Sequence, residues 1–197
     1  MNHLVKYIEK KSRALNYVLW GKAIIIANLY EHIPDKTNYD YKPSINGTFV
    51  KINSNNLGEY CNYFPSQSIT YISERIITFN DTCVAYLVQS KIVYWAFITC
   101  RTEYFEPAIN TNYQISEDAA FIYDTSTLED FQRKGIHASA FRHIFENVIE
   151  LGKKRAEMMV LKVNTPAINN LQKFNFKLIK RHMYIPALGF TTCWRTI

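Results

Sequence analysis

Two cations stand directly before a lone glycine in "FQRKGIHASAF" (Phe131 to Phe141), and small residues follow. Those residue types at that spacing suit a grip on phosphate. Backbone N–H groups at a helix start have no intrahelical partner and carry partial positive charge. A glycine lets an anion's oxygens approach them, and Arg133 and Lys134 add charge. The same string also reads as an ordinary helix start with a solvated basic edge. A Walker loop is excluded because GxxxxGK[ST] is absent, and a dinucleotide fingerprint because GxGxxG is absent.

The elements around the glycine decide what can be positioned there. "DAAFIYDTSTL" (Asp118 to Leu128) reads as the strand that enters the loop. "GIHASAFRHIFENVIELGKKR" (Gly135 to Arg155) reads as the helix that leaves it. Ile136, Ala140, Phe141, Ile144, Phe145, Val148 and Leu151 form one apolar stripe, and Lys153, Lys154 and Arg155 close the helix at its negative end. Upstream, "DTCVAYLVQSKIVYWAFITC" (Asp81 to Cys100) is two β-rich runs split by "QSK", a β-hairpin. Downstream come a short strand, "MMVLKV" (Met158 to Val163), and a short helix, "TPAINNLQKF" (Thr165 to Phe174), capped by Thr165 or Asn164 with Pro166 in its first turn. "FKLIKRHMYI" and "GFTTCWRTI" read as final strands.

The N-terminal part is less regular. Leu4, Ile8, Leu15, Val18 and Leu19 predict a helix ending before Gly21, and "KAIIIANLYEH" a buried strand. Residues 34 to 68 predict loops broken by short pieces of helix or strand. "ITYISERIITF" (Ile69 to Phe79) fits a helix, with a strand left open. The order is α/β with a mixed sheet.

At 197 residues the chain fits one domain, and 48% hydrophobic against 20% charged residues makes it a folded one. The formal charge of +6 fits an anionic ligand as well as nucleic acid or a membrane surface, and a basic nucleic-acid-binding module is a third reading, though the cations are scattered and no recognition motif appears. Cys61, Cys83, Cys100 and Cys193 are too dispersed for a zinc site, so no metal is expected and the thiols are read as reduced. The most apolar run, Ala23 to Tyr30, is too short to span a bilayer, and the first twenty residues lack the apolar centre of a signal peptide. The expectation is a cytoplasmic protein without a membrane or nucleic-acid partner, monomeric or homodimeric.

From Asp81 onward the chain resembles the GCN5-related N-acetyltransferase (GNAT) superfamily. That family places a [Q/R]-x-x-G-x-[G/A] loop after its fourth strand. Gln132, Arg133, Lys134, Gly135, Ile136 and His137 match it except at His137, where the family has Gly or Ala. The family often continues N-x-x-A-x-x-x-Y-x-K-x-G-F. Here Asn164, Lys173 and Phe176 hold their places, and Ala167 sits within one residue of its own. Asn175 stands for the glycine and tolerates a left-handed backbone. Leu171 stands for a tyrosine that is the proposed general acid in many relatives. Residues 1 to 80 match weakly, with a strand at Ala23 to Tyr30 suiting the family's first strand. The resemblance implies one domain over 1–197, with 1–20 a helical extension and 81–197 the cofactor-binding part. Its fold is a mixed, mostly antiparallel central sheet flanked by helices and splayed between the fourth and fifth strands.

The resemblance further implies acetyl-CoA as cofactor and a small-molecule amine as acceptor. Ser126, Thr127, Leu128 and Glu129 would pair with the pantetheine arm, and N–H groups near Thr127 would polarise the acetyl carbonyl. Gln132, Arg133, Lys134, Gly135, Ile136, His137 and Ala138 would cradle the pyrophosphate. Asn164 would hydrogen-bond the arm, and Asn169, Asn170 and Lys173 would meet the far end of the cofactor. An alkylammonium must lose a proton before it attacks. Asp124 is favoured for that, ahead of Glu103, Glu129 and Tyr123, because strand alternation turns it away from Phe121 and Tyr123. The plainer reading of Asp124, and the one that residue type favours, is a partner for neighbouring backbone or a tyrosine.

Other residues read blandly: His137 as a helix-start residue, His143 and His182 as surface, Met158 and Met159 as strand packing. The aromatic-rich hairpin, Trp95 included, reads mainly as core, with the hairpin's exposed side able to line an acceptor pocket. The layout after Lys91 resembles GNATs of sugar and surface-polysaccharide pathways, which implies an amino sugar as acceptor, with an antibiotic, a polyamine, a protein N-terminus and O-acetylation left open. The runner-up is a non-catalytic GNAT-like protein that holds CoA or acyl-CoA, favoured by Leu171 and His137.

Overall fold

The computed structural model describes residues 24–34 and 41–196. The predicted N-terminal helix and residues 1–20 lie outside them. The fold is mixed α/β, with a largely antiparallel central sheet flanked by helices. In chain order the strands are β1 (Ile25–His32), β2 (Thr48–Ile52), β3 (Thr82–Val88), β4 (Lys91–Thr99), β5 (Glu103–Glu106), β6 (Thr111–Gln114), β7 (Ala119–Thr127), β8 (Arg155–Leu161), β9 (Lys177–Ile185) and β10 (Phe190–Arg195). The helices are α1 (Leu57–Tyr60), α2 (Ile69–Ser73), α3 (Ile136–Glu150) and α4 (Thr165–Lys173). The chain divides into two compact units.

One unit takes the described residues of 33–100 and 117–156. Its strands lie in the order β7, β4, β3, β2, each antiparallel to its neighbour. The predicted hairpin is β3–β4. Gln89 and Ser90 both take left-handed backbone, at φ 46° and 60°, the geometry whose twist matches a two-residue hairpin turn. Nearly every residue of both strands is buried, because helices cover both faces. "ITYISERIITF" is helical: α2 runs on into a π turn at Glu74–Thr78. α3 buries the predicted stripe, with Ala140, Phe141, Ile144 and Val148 at 0% exposure. Truncating Phe141 to Ala would cost about 3–5 kcal/mol.

The basic run after α3 is a correction. The helix stops at Glu150, Gly152 turns the chain at φ 72°, and Leu151 is exposed. Lys153 does close α3 through its backbone, its N–H donating to the Val148 carbonyl at 3.1 Å, but the three residues also tie the helix end to another element. They bond the start of β7: Lys153 Nζ donates to the Glu117 carbonyl (2.8 Å), and Lys154 N–H to the Asp118 carbonyl (2.8 Å). Arg155 Nη2 meets the Asp118 carboxylate at 2.6 Å and holds it below the usual carboxylate range.

The other unit takes the described residues of 1–32, 101–116 and 157–197. Its strands lie in the order β10, β9, β1, β8, beside a separate β5–β6 hairpin. The strand expected at Ala23 to Tyr30 forms as β1, but it pairs antiparallel with β9. The strand beside the β3–β4 hairpin is instead β2, in the Asn-rich segment. Met158 is buried and Met159 packs against Ile25, Ala27 and Ile109, as strand residues should. His182 is a second correction: it is 7% exposed, not a surface residue, and burial lowers its pKa. Asn175 takes the left-handed backbone its motif position asks for, at φ 57°.

Candidate functional site

β7 carries an irregularity just where the strand approaches the loop. Phe97 pairs with Tyr123 and Trp95 with Ser126, so one extra residue is inserted on β7 between those pairs. Asp124 absorbs it with a left-handed φ of 54°, a conformation that Asp tolerates better than most residues. Such a bulge bends its strand and re-aims side chains. The alternation argument for Asp124 therefore fails: strict alternation ends at Tyr123. Asp124 itself is half-buried.

Past the bulge, Ser126, Thr127 and Leu128 are half-buried and Glu129 is exposed. Leu128 N–H still donates to the Val93 carbonyl (2.8 Å), and one 3₁₀ turn follows at Glu129–Phe131. Gln132 then reaches back, its Nε2 donating to the Thr127 carbonyl at 3.3 Å. Arg133 and Gly135 both adopt left-handed backbone, at φ 59° and 76°, on either side of Lys134. Gly135 is the N-cap of α3 and offers no side chain to cap it. The first ladder bond runs from Ser139 N–H to the Gly135 carbonyl at 3.0 Å. The amides of Ile136, His137 and Ala138 thus precede the ladder. Gln132, Arg133, Lys134 and Gly135 are all exposed, Ile136 is buried, and His137 and Ala138 are half-buried.

A strap the sequence did not announce runs against this loop. Ser44 N–H donates to the Lys134 carbonyl (2.9 Å), and the Ser139 hydroxyl donates to the Tyr41 carbonyl (2.5 Å). A Cβ built on Gly135 would meet the Lys42 carbonyl at 3.5 Å and Pro43 Cα at 3.8 Å, which is ordinary contact. A side chain at Gly135 would therefore face the strap. The glycine is required by its φ more than by space.

His137 turns inward. Its ring stacks on Phe141 (centroids 5.2 Å) and lies 5.8 Å from the Tyr94 ring. Burial depresses its pKa to about 4. It is neutral at pH 7 and leaves the cradle to its own backbone N–H. His143 stacks on Phe49 at 4.4 Å and also has a lowered pKa, chiefly through burial.

Among the proton-acceptor candidates, Tyr123 is spoken for. Its phenol is 4% exposed and donates to the Asp81 carboxylate. Burial first, then the Asp81 charge, push its pKa far above the usual tyrosine value. The Arg75 guanidinium lies over the Tyr71, Phe79 and Tyr123 rings at 4.7, 5.2 and 5.6 Å. This group, with Asp81 and Tyr123 buried and Arg75 half-buried, went unread in the sequence. Glu103, in the other unit, is exposed and accepts from Gln114 Nε2 (3.2 Å).

The second motif belongs to that other unit. Asn164 caps α4: its Oδ1 accepts from Ala167 N–H at 3.3 Å. Asn169 and Lys173 are exposed and Asn170 is half-buried. Leu171 is 1% exposed, a core residue.

No family model matches the chain, and no curated protein matches its sequence. Solved structures match its fold. A GCN5-related N-acetyltransferase from Sphaerobacter thermophilus aligns at TM-score 0.56 and 10% identity, over 94% of this chain and 56% of that one. A putative GNAT-family acetyltransferase from Novosphingobium aromaticivorans aligns at 0.53 and 9%, over 88% and 66%. A conserved protein of unknown function from Staphylococcus epidermidis aligns at 0.55 and 13%, over 100% and 68%. The chain thus spans from just over half to about two thirds of these neighbours. AAC(6')-Iy, solved with the bisubstrate analog CoA-S-monomethyl-acetylneamine, aligns at 0.51 and 13%, over 68% and 92%. At these identities the likeness is one of fold.

Proposed function

We propose that this chain is an acetyl-CoA-dependent N-acetyltransferase acting on a primary amine of a small molecule, with an amino sugar as the acceptor class. The observation that carries it is the start of α3: the amides of Ile136–Ala138 precede the ladder, no side chain caps them, and Arg133 and Lys134 are exposed beside them. An uncapped helix start flanked by cations fits a pyrophosphate. The fold neighbours support the same ligand, since one was solved with a CoA-linked analogue.

Acetyl-CoA, when bound, supplies an acetyl group activated as a thioester. The chain's part is to bind and orient. Gln132–Ala138 hold the pyrophosphate, with His137 contributing backbone only. Ser126, Thr127, Leu128 and Glu129 offer the strand edge for the pantetheine arm, and N–H groups near Thr127 face the developing oxyanion. The parting of strands that the resemblance implies belongs to this proposal. Asn164, Asn169, Asn170 and Lys173 are its further cofactor contacts. Asp124, set at the bulge, is the proposed acceptor of the amine proton. Tyr123 is set aside because its phenol is committed to Asp81.

One observation favours a non-catalytic CoA-binding protein: Leu171 lies in the core where relatives place a tyrosine. Calorimetry with acetyl-CoA, followed by a screen of amines that includes glucosamine, separates the readings. Micromolar binding with turnover supports the enzyme. Binding with no turnover of any amine supports the runner-up. No binding by folded protein ends both.

A further inference from the structure

Trp95 is 3% exposed, and its indole Nε1 is buried with no hydrogen-bond partner among the described residues. An indole N–H is a donor only, and leaving one buried without an acceptor opposes folding. Tryptophans kept in cores normally find a partner. The position is also unusual. Trp95 is the cross-strand partner of Ser126, the first paired residue past the Asp124 bulge. Directly paired residues of antiparallel strands project to the same face. On that face Phe64 meets Trp95 edge-on at 6.2 Å, Phe97 stacks with Tyr123 at 5.5 Å, and Tyr71 meets Phe97 edge-on at 6.2 Å. The rings supply apolar walls and Trp95 supplies a lone donor.

The neighbouring residue has a different resolution. Tyr94 OH is likewise buried and without a partner, but its ring lies 5.8 Å from His137, whose buried Nε2 also lacks one. A phenol donor and a neutral imidazole acceptor are complementary, so these two groups are chemically matched to each other. Phe64, whose ring packs edge-on against Trp95, offers no acceptor.

Resting on the acetyltransferase reading above, we infer that Trp95 is a ligand-binding donor: its indole N–H meets an uncharged oxygen of the substrates seated at the β7 bulge. Two sources share that chemistry, the acyl carbonyl of the thioester and a hydroxyl of the acceptor. Either makes Trp95 a specificity determinant, because a site with a buried donor discriminates strongly against a ligand lacking the acceptor atom.

Proton–nitrogen NMR of the indole groups tests this. The chain has three tryptophans, Trp20, Trp95 and Trp194, so the cross-peak missing from Trp95→Phe identifies Trp95. The probes are CoA, acetyl-CoA, and glucosamine added with CoA. A downfield shift with acetyl-CoA beyond that with CoA assigns the acyl carbonyl. A shift only when glucosamine joins CoA assigns the acceptor hydroxyl. In the matching case Trp95→Phe, which keeps a ring in the core, weakens that same probe about fivefold to tenfold by calorimetry and leaves CoA affinity unchanged. An indole peak that no probe moves, one moved equally by CoA and acetyl-CoA, or a shift without loss of affinity in Trp95→Phe overturns the inference. Calorimetry with no CoA binding to folded wild type separately ends the acetyltransferase reading.

Discussion

Two helices of this chain start after a strand and a short motif, and they start differently. α4 satisfies itself. Asn164 Oδ1 takes the Ala167 amide, and a proline in the first turn removes one donor. α3 does not. Gly135 brings no capping atom, two residues of its lead-in are left-handed, and three amides precede the ladder. A capped start is complete within the chain. An uncapped start beside exposed cations leaves its first amides to water or to an anion. The proposed pyrophosphate site lies at the start of α3, and the following tests press on this difference.

The largest expected effect comes from His137, the inward side chain of that first turn. Its folded pKa is about 4 against an ordinary 6.5. Between those values the unfolded chain binds the proton and the folded chain does not, so stability falls as pH drops from 6.5 to 4. The loss approaches about 3 kcal/mol. The lowered pKa values of His143 and His182 act in the same direction. Thermal melts at pH 7 and pH 4.5 should show a drop for wild type that is clearly smaller in His137→Ala. Equal drops would mean that the imidazole is not held neutral by burial.

Next in size is the charge test. Arg133→Glu with Lys134→Glu should weaken CoA at least tenfold, a loss of ~1.4 kcal/mol or more, with little change in Tm, since both side chains are exposed. Wild-type affinity should itself fall with added salt. Unchanged affinity would remove the phosphate assignment from α3. Gly135→Ala is expected to cost about 1–2 kcal/mol in urea melts through its left-handed backbone. A stability unchanged by that substitution would show that the turn relaxes.

The contrast between the two helix starts also explains what the sequence could tell. Gly135, Asn164 and Asn175 were legible because backbone conformation and capping are local, and residue type announces them. The hairpin was legible for the same reason. The Asp124 bulge was not: a single inserted residue leaves no trace in an alternating pattern, so facing arguments beyond Tyr123 failed. The strap at Tyr41–Ser44 and the pairing of β1 with β9 depend on contacts distant in sequence, which periodicity does not encode. His182 looked like a surface residue because one charged or polar side chain in a strand of mixed pattern does not say which face is covered. The run Lys153–Arg155 misled because a helix dipole and an ion pair with Asp118 both call for cations there.

The finest discrimination concerns Asn164, which has a structural duty and a proposed functional one on the same amide group. Asn164→Ala removes both, and should cost about 1 kcal/mol of stability as a lost cap. Asn164→Asp keeps an oxygen for the Ala167 amide and removes only the Nδ2 donor, so its Tm should match wild type. If Nδ2 serves the pantetheine arm, CoA affinity falls about fivefold in Asn164→Asp, the worth of one hydrogen bond. If affinity holds while the cap holds, Asn164 is structural alone. The open start of α3 would then carry the cofactor without help from this motif, and the difference between the two helix starts would become a complete division of labour.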